Sequence, residues 1–254
     1  MDEILKRDLV GGLQNGLAVI EAFDESRPRL SLSEVASITG LTRAAARRYL
    51  LTLRNLGYAE HDGKFFSLTP KILRLGYAYL ASSGLPWRLQ PFLDRISKEV
   101  RETSSAAVLD DLEIVYVGRS ARSRTIMLIG LSVGSRLPAY CTSLGRALMA
   151  HQPAPWLDAY FSRVKPKRLT PKSKTTERDL RRELEKVREL GYSLVDEELE
   201  LGLCSLAVPV FDAQGKAVCA INVTAQTGRT SPEDLLRIAL PHLERAREDL
   251  RRLV

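Results

Sequence analysis

Apolar residues recur at helical spacing three times before the chain changes character. From Gly16 the string GLAVIEAF sets Leu17, Ile20, Ala22 and Phe23 on a helical period that ends at the turn-forming ESRPRL. Ser31, with Glu34 three residues on, is a capping box. It opens a second helix with a short apolar face of Val35, Ala36 and Ile38, and Gly40 breaks it. Thr42 caps a third helix, RAAARRYLLTLRNL, which Gly57 stops. In it Ala46, Leu50 and Leu53 fall on one side, which Arg43, Arg47, Arg48 and Arg54 largely avoid. The period then drops to two: Tyr58–His61, an Asp62-Gly63 turn and Lys64–Leu68 predict a tight β-hairpin. Three helices and then a hairpin is the order of a winged helix-turn-helix.

Thr69-Pro70 opens a further helix running to Ala81. Pro70 sits at its first position, and Ile72, Leu75, Tyr79 and Leu80 make a largely apolar surface. Ser82-Ser83-Gly84-Leu85-Pro86 is the best domain boundary in the chain. Beyond it a helix is predicted from Trp87 to Glu102, then strands at Ala106–Leu109, Ile114–Arg119 and Thr125–Leu131. Helical patterns follow near Ser143–His151, Pro155–Ser162 and Thr176–Leu190. Strands Ser205–Phe211 and Ala217–Ala225 flank the turn Asp212–Gly215, and a last helix spans Pro232–Leu253. This mixture predicts an α+β chain whose second part is an antiparallel or mixed sheet with helices packed on it. The division is a winged helix-turn-helix over 1–69, a linker helix over 70–84 and a sheet domain over 85–254.

Charge sharpens the picture of the first part. Between Glu34 and Glu60 there is no acidic residue, yet there are four arginines. A helix meant to approach the dense phosphates of duplex DNA should carry cations and exclude carboxylates. The small or polar Thr42, Ala44 and Ala45 in its first turn let the backbone enter a major groove about 12 Å wide. Arg43, Arg47 and Arg48 are long enough to reach base edges or phosphates. The plain alternative is that the arginines only solvate an exposed face. For His61 and Lys64 the choice lies between a wing that touches phosphate and an ordinary polar turn.

In the second part the informative residues are glycines, small hydroxyls and a cysteine at element ends. Gly134-Ser135-Arg136-Leu137-Pro138 is a turn leading to Thr142-Ser143, which cap the helix starting near Leu144. A helix N-terminus is a natural seat for a carboxylate. Gly202-Leu203-Cys204-Ser205 opens a strand, where free backbone amides could bind a second oxygen. Asn222 and Thr224 alternate on a strand and so share one face. Arg119 and Arg136 are the candidate cations for an aromatic or dicarboxylic acid. Each has a bland alternative: Thr142 and Ser143 as caps alone, and Cys204 and Cys219 as small buried hydrophobes. Likewise Arg119 could be a surface strand residue, and Arg136 the partner of an acid in the Asp196-Glu197-Glu198 run, itself read as a solvated loop.

Composition removes several function classes. The 254 residues are 44% hydrophobic and 27% charged, which suits a globular chain with a real core. No apolar run approaches the ~18 residues of a membrane span, and the first residues lack the stretch of a signal peptide, so a cytoplasmic protein is expected. Cys141, Cys204 and Cys219 lie far apart, against a zinc site or a disulfide framework. The net charge of +7 is compatible with nucleic acid as a partner. His61, His151 and His242 are scattered without metal spacing, and Gly11-Gly12 with Gly16 lacks the Lys-Ser/Thr of a phosphate loop. Thr142-Ser143-Leu144-Gly145 is not a nucleophile elbow. Neither a cofactor nor a metal is expected.

The segment LSLSEVASITGLTRAAARRYLLTLRNLGYAEHDGKFFSLTPKILRLGYAYL resembles the winged helix-turn-helix of the IclR family of bacterial transcriptional regulators. VGSRLPAYCTSLGRALMA and VDEELELGLCSLAVPVFDAQGKAVCAINVT resemble that family's effector-binding domain. The likeness runs from about Gly12 to Leu253. TRAAARRYL, GSRLPAYCTSLGR and DEELELGLCSLAVPV look most like the branch controlling protocatechuate, 4-hydroxybenzoate and β-ketoadipate catabolism. The resemblance implies a GAF-like second domain whose inducer cavity is lined near Thr142-Ser143 and Gly202–Ser205.

Three functions compete. The first is a ligand-controlled DNA-binding regulator, a homodimer or tetramer. It would pair through the linker helix, read a pseudo-palindromic operator and respond to a small carboxylic acid inducer. The second is an enzyme on a small aromatic or keto acid with an N-terminal docking module, for which no catalytic constellation is visible. The third is a sequence-independent DNA binder, which leaves the larger domain without a purpose.

Overall fold

The computed structural model describes residues 8–120 and 131–253. The expected strand Thr125–Leu131 falls almost wholly outside the described residues. The chain forms two units, 1–81 and 82–254, each with its own core.

The first unit opens with α1 (Gly11–Glu21), α2 (Leu32–Thr39) and α3 (Arg43–Asn55). Helix α1 starts at Gly11, ahead of the predicted Gly16. Glycines in a first turn lack intrahelical partners in any case, and the Val10 carbonyl accepts the amides of Leu13 and Gln14. Ser31 and Glu34 form the reciprocal capping box, and Gly40 closes α2 in the left-handed region at φ +69°. Strands β1 (Ala59–His61) and β2 (Phe66–Leu68) pair antiparallel with His61 opposite Phe66. They are shorter than predicted because Asp62 Oδ1 gathers the amides of Lys64 and Phe65 into the turn. Leu30 bonds both ways with Phe66, tying the hairpin to the entrance of α2. The core is Val19, Ala22, Leu30, Val35, Ala36, Ala46, Leu50, Leu53, Ala59 and Phe66. A short 3₁₀ turn over Pro70–Ile72 leads into α4 (Leu73–Ser83).

The second unit begins with α5 (Leu85–Val100), two residues ahead of the expected Trp87, because Pro86 in the first turn needs no amide partner. Arg101, at φ +63°, ends it before the expected Glu102. Strands β3 (Thr103–Asp110) and β4 (Glu113–Ser120) follow, then β5 (Arg136–Pro138), α6 (Ser143–Met149), α7 (Ala154–Arg163) and α8 (Glu177–Leu190). The chain closes with β6 (Ser193–Asp196), β7 (Leu203–Phe211), β8 (Ala217–Gln226) and α9 (Pro232–Leu250). All pairs are antiparallel in the order β5-β4-β3-β8-β7-β6. The polar start of β3 escaped the apolar pattern because its hydroxyls are buried; Ser104 Oγ donates to the Asn222 carbonyl at 2.9 Å. The short edge strands β5 and β6 carry too few alternating positions to read from sequence.

Alternation along β7 and β8 sorts their side chains onto two faces. Cys204, Leu206, Val208, Val210, Cys219, Ile221 and Val223 meet Leu89, Leu93 and Ile96 of α5 and Leu235, Ala239 and Leu243 of α9. On the other face Ala107, Tyr116, Ala207 and Ala220 meet Leu144 and Leu148 of α6, Leu157 of α7 and Leu180 and Leu184 of α8. The second face is lined by smaller side chains, and there the sheet and α6 leave a cavity.

Candidate functional site

In the first unit Thr42 Oγ1 accepts the Ala45 amide at 3.2 Å and starts α3. Ala46, Leu50 and Leu53 point into the core, so the helical period turns Arg43, Ala44, Arg47 and Arg48 outward, and all four are exposed. Among the described residues no carboxylate pairs with Arg43, Arg47 or Arg48. The surface presents cations on a short-side-chain first turn. In the hairpin His61 lies against Phe66, ring centroids 4.2 Å apart, and Lys64 is exposed at the tip. Phe65 carries Lys64 Nζ at 5.0 Å and the Arg29 guanidinium at 5.3 Å, so the wing brings a cation that the sequence did not single out. Arg29 is also paired with Asp62.

In the second unit a cavity of about 30 Å³ is lined by Tyr116, Cys141–Leu144, Val195, Leu199, Leu203, Ser205, Asn222 and Thr224. Every lining side chain is uncharged. Ser143 Oγ and Asn222 Oδ1 are buried without a hydrogen-bond partner. The Asn222 amide nitrogen donates to Thr224 Oγ1 at 3.2 Å, which leaves its oxygen as an open acceptor. An unmet buried polar atom costs about 1–3 kcal/mol, so two lining one cavity, one on α6 and one on the sheet, mark a place where polar groups are held ready. Burial pushes the Tyr116 hydroxyl up to about 12 and the Cys141 thiol up to about 12, so both stay protonated at neutral pH.

The cavity gathers Thr142, Ser143, Leu203, Ser205, Asn222 and Thr224 from the residues anticipated, but not all of them. Cys204 lies on the opposite sheet face, 1% exposed within the α5/α9 core, because it is one residue out of step with Leu203 and Ser205. Arg136 on β5 is exposed and ion-paired to Asp110 at the end of β3 and Glu113 at the start of β4, not to the Asp196–Glu198 run. Gly202 stands in a left-handed turn at φ +82°, and its amide is already taken by Glu197 Oε1 at 2.8 Å; Leu203's goes to the Glu200 carbonyl. The expected free amides are therefore internally bonded. Thr142 caps α6 by accepting the Gly145 amide at 3.1 Å. Arg119 does not line the cavity, though Ser105 pairs with Arg119 on one side and Asn222 on the other, which puts the three in one row on that face. Burial pulls its guanidinium below the ordinary arginine value, with Tyr116 opposing.

Sequence reading missed Tyr116, Cys141, Leu144, Val195 and Leu199, and it mistook the acidic run for a solvated loop. Glu198 is 2% exposed and bonded to Arg146, itself 1% exposed, at 2.7 and 2.6 Å. Burial alone would raise the Glu198 carboxyl, but the bonds from Arg146 and Lys174 hold it below the usual carboxylate range. The signal was available: a lone arginine inside the apolar TSLGRALMA requires a buried acid elsewhere.

Both units also match known proteins. Residues 12–63 match the IclR helix-turn-helix domain, and residues 77–251 match the bacterial transcriptional regulator IclR C-terminal family. The Pca regulon regulatory protein of Pseudomonas putida is 43% identical over 96% of this chain and 84% of its own. The p-hydroxybenzoate hydroxylase transcriptional activator of Acinetobacter baylyi is 41% identical over 100% of this chain and 95% of its own. Among solved structures, a double mutant of the inducer-binding domain of PobR from Acinetobacter, in complex with 3-hydroxybenzoic acid, is 35% identical. It covers 66% of this chain and 98% of its own, with a TM-score of 0.62. A helix-turn-helix with an arginine-bearing, acid-free outer face, joined to an antiparallel sheet domain and matched by both models, places this chain in the IclR family of bacterial transcriptional regulators.

Proposed function

We propose that the protein regulates aromatic-acid catabolism by binding a small hydroxylated carboxylic acid, such as 4-hydroxybenzoate or protocatechuate, in the cavity between α6 and the sheet. The observation that carries this reading is the pair of open polar atoms, Ser143 Oγ on α6 and Asn222 Oδ1 on β8, in a cavity whose lining is uncharged. An acceptor such as Asn222 Oδ1 wants a hydroxyl donor, and an aromatic ring suits the neighbouring Tyr116, Leu144 and Leu203. The carboxylate would turn along the row toward Arg119. The likeness to the Pca regulon regulatory protein and to the p-hydroxybenzoate hydroxylase transcriptional activator, and the 3-hydroxybenzoic acid bound to the PobR domain, support the same ligand class.

Calorimetric titration of the full chain with protocatechuate, 4-hydroxybenzoate, β-ketoadipate and pyruvate tests it. Saturable binding of an aromatic acid without turnover is expected; heat only from pyruvate, or a product, overturns it. Asn222→Leu is nearly isosteric and removes the open acceptor. It is expected to weaken the preferred acid by about 10–100-fold while leaving the thermal midpoint within a few degrees.

The same reading makes α3 the element that enters the major groove, with Thr42, Arg43, Ala44, Arg47 and Arg48 at the duplex and His61 and Lys64 on the wing. Arg47→Ala and Arg48→Ala should each weaken operator binding by about 1–3 kcal/mol if the side chain reads a base, and evenly across sequences if it holds phosphate. Gel-shift affinities unchanged in both variants would remove this face from the interface. A homodimer paired through α4 and reading a pseudo-palindrome fits the apolar side chains that helix leaves exposed, Leu73, Leu75, Tyr77 and Tyr79.

A further inference from the structure

We propose that the buried Arg146–Glu198 ion pair is the specificity-setting element of the cavity: it limits how far the two cavity walls can part, and so which acid is admitted. The inference rests on reading that cavity as the effector site. One wall is the start of α6, with Thr142, Ser143 and Leu144; the other carries Val195, Leu199 and Leu203. Arg146 stands one turn beyond Ser143, and Glu198 is the residue before Leu199. Their bidentate contact therefore bolts one wall to the other directly behind the lining.

The bolt is held at both ends. Arg146 Nε donates to the Tyr140 carbonyl at 2.8 Å, while Nη1 and Nη2 reach the two Glu198 oxygens at 2.7 and 2.6 Å. Lys174 adds its Nζ at 2.8 Å and its backbone amide at 3.0 Å. Ser173 Oγ donates to the Glu198 carbonyl, and Thr170 Oγ1 to that of Glu197, each at 2.6 Å. The adjoining Glu197 sits at φ +54°, a conformation most side chains avoid, and is kept there by Lys172, the Gly202 amide and Thr227 Oγ1. A segment fixed so closely cannot drift; it moves only as these bonds allow.

Stability is a poor reason for such a pair. Two desolvated charges are often replaceable by apolar side chains of similar volume without loss, whereas holding elements in register is the best-attested use of a buried pair. Register matters here because a cavity of about 30 Å³ holds roughly a water, and a benzoate enters only if the walls part. Lysine in place of Arg146 would keep the charge but not the planar fork that engages both oxygens and Tyr140.

The test measures calorimetric affinities of the full chain for 4-hydroxybenzoate and the longer 4-hydroxycinnamate, beside the thermal midpoint. The Arg146→Met/Glu198→Leu double variant should keep its midpoint within a few degrees. It should bind the acid preferred by the natural protein about tenfold more weakly and lose most of the preference between the two. Arg146→Lys should move the same way. Folded variants with the natural affinities and preference overturn the inference while leaving the effector reading intact; failure of the natural protein to bind either acid overturns both. If the double variant does not fold, Lys174→Met, which removes a half-exposed second cation from Glu198, decides: a roughly threefold shift in preference is expected, and none overturns the proposal.

Discussion

Glu198→Ala is expected to destabilise the 82–254 unit by about 3–5 kcal/mol, because Arg146 would be left buried at 1% exposure with no counter-charge. For a unit of this size that lowers the thermal midpoint on the order of 10 °C. The contrast with the apolar double variant is the point: removing one partner strands a charge, whereas replacing both does not. The natural protein should also show an acid signature. The Glu198 carboxyl lies below its unfolded value, so the unfolded chain binds the proton first as pH falls. The contribution of the pair is complete above the unfolded carboxylate value of about 4.3 and disappears as pH drops through the lower folded value. Glu198→Ala should flatten the stability profile in that window. A calorimetric loss under about 1 kcal/mol, or an unchanged acid limb, would mean that the pair is not anchored as described.

Gly145→Ala is expected to cost about 3 kcal/mol or more, at or above the upper end for overpacking, and to remove acid binding. A Cβ at this position would collide with the Ala139 carbonyl and its neighbouring backbone atoms, which no rotamer change relieves. The whole start of α6 would have to shift, and with it Ser143 and Leu144 on the cavity wall. Gly12→Ala is the control: its site in α1 is open, so removing a helical glycine should be neutral or stabilising by up to about 1 kcal/mol. Thermal unfolding of the two variants side by side separates the close approach at Gly145 from a general effect of glycine replacement. Equal midpoints would show that α6 can give way against the Ala139 turn.

The helix-turn-helix was legible nearly residue by residue because its determinants are local. Capping by Ser31 and Thr42, the Gly40 break and the apolar spacing of Ala46, Leu50 and Leu53 lie within a few residues of what they control. Once the core side of α3 is known, the helical period alone puts Arg43, Arg47 and Arg48 outside. The cavity was only half legible. Thr142-Ser143 and Asn222 with Thr224 were visible as polar residues at element ends or on one strand face, and they do meet. Cys204 was misplaced because a single residue of strand phase decides between a cavity wall and a closed core. Arg136 was misassigned because its partners, Asp110 and Glu113, lie across strand pairings that residue spacing does not reveal.

By itself the amino-acid order determined the family, the two-part division, the caps and turns, and the cationic outer face of the third helix, all of which depend on neighbours in the chain or on period. Only the tertiary structure decided which polar atoms share a cavity and which charge answers Arg146. Arg146 and Glu198 are 52 residues apart and meet only when α6 docks on the sheet. Short-range propensity reads along the chain, whereas the desolvation that gives a buried guanidinium its partner acts through space.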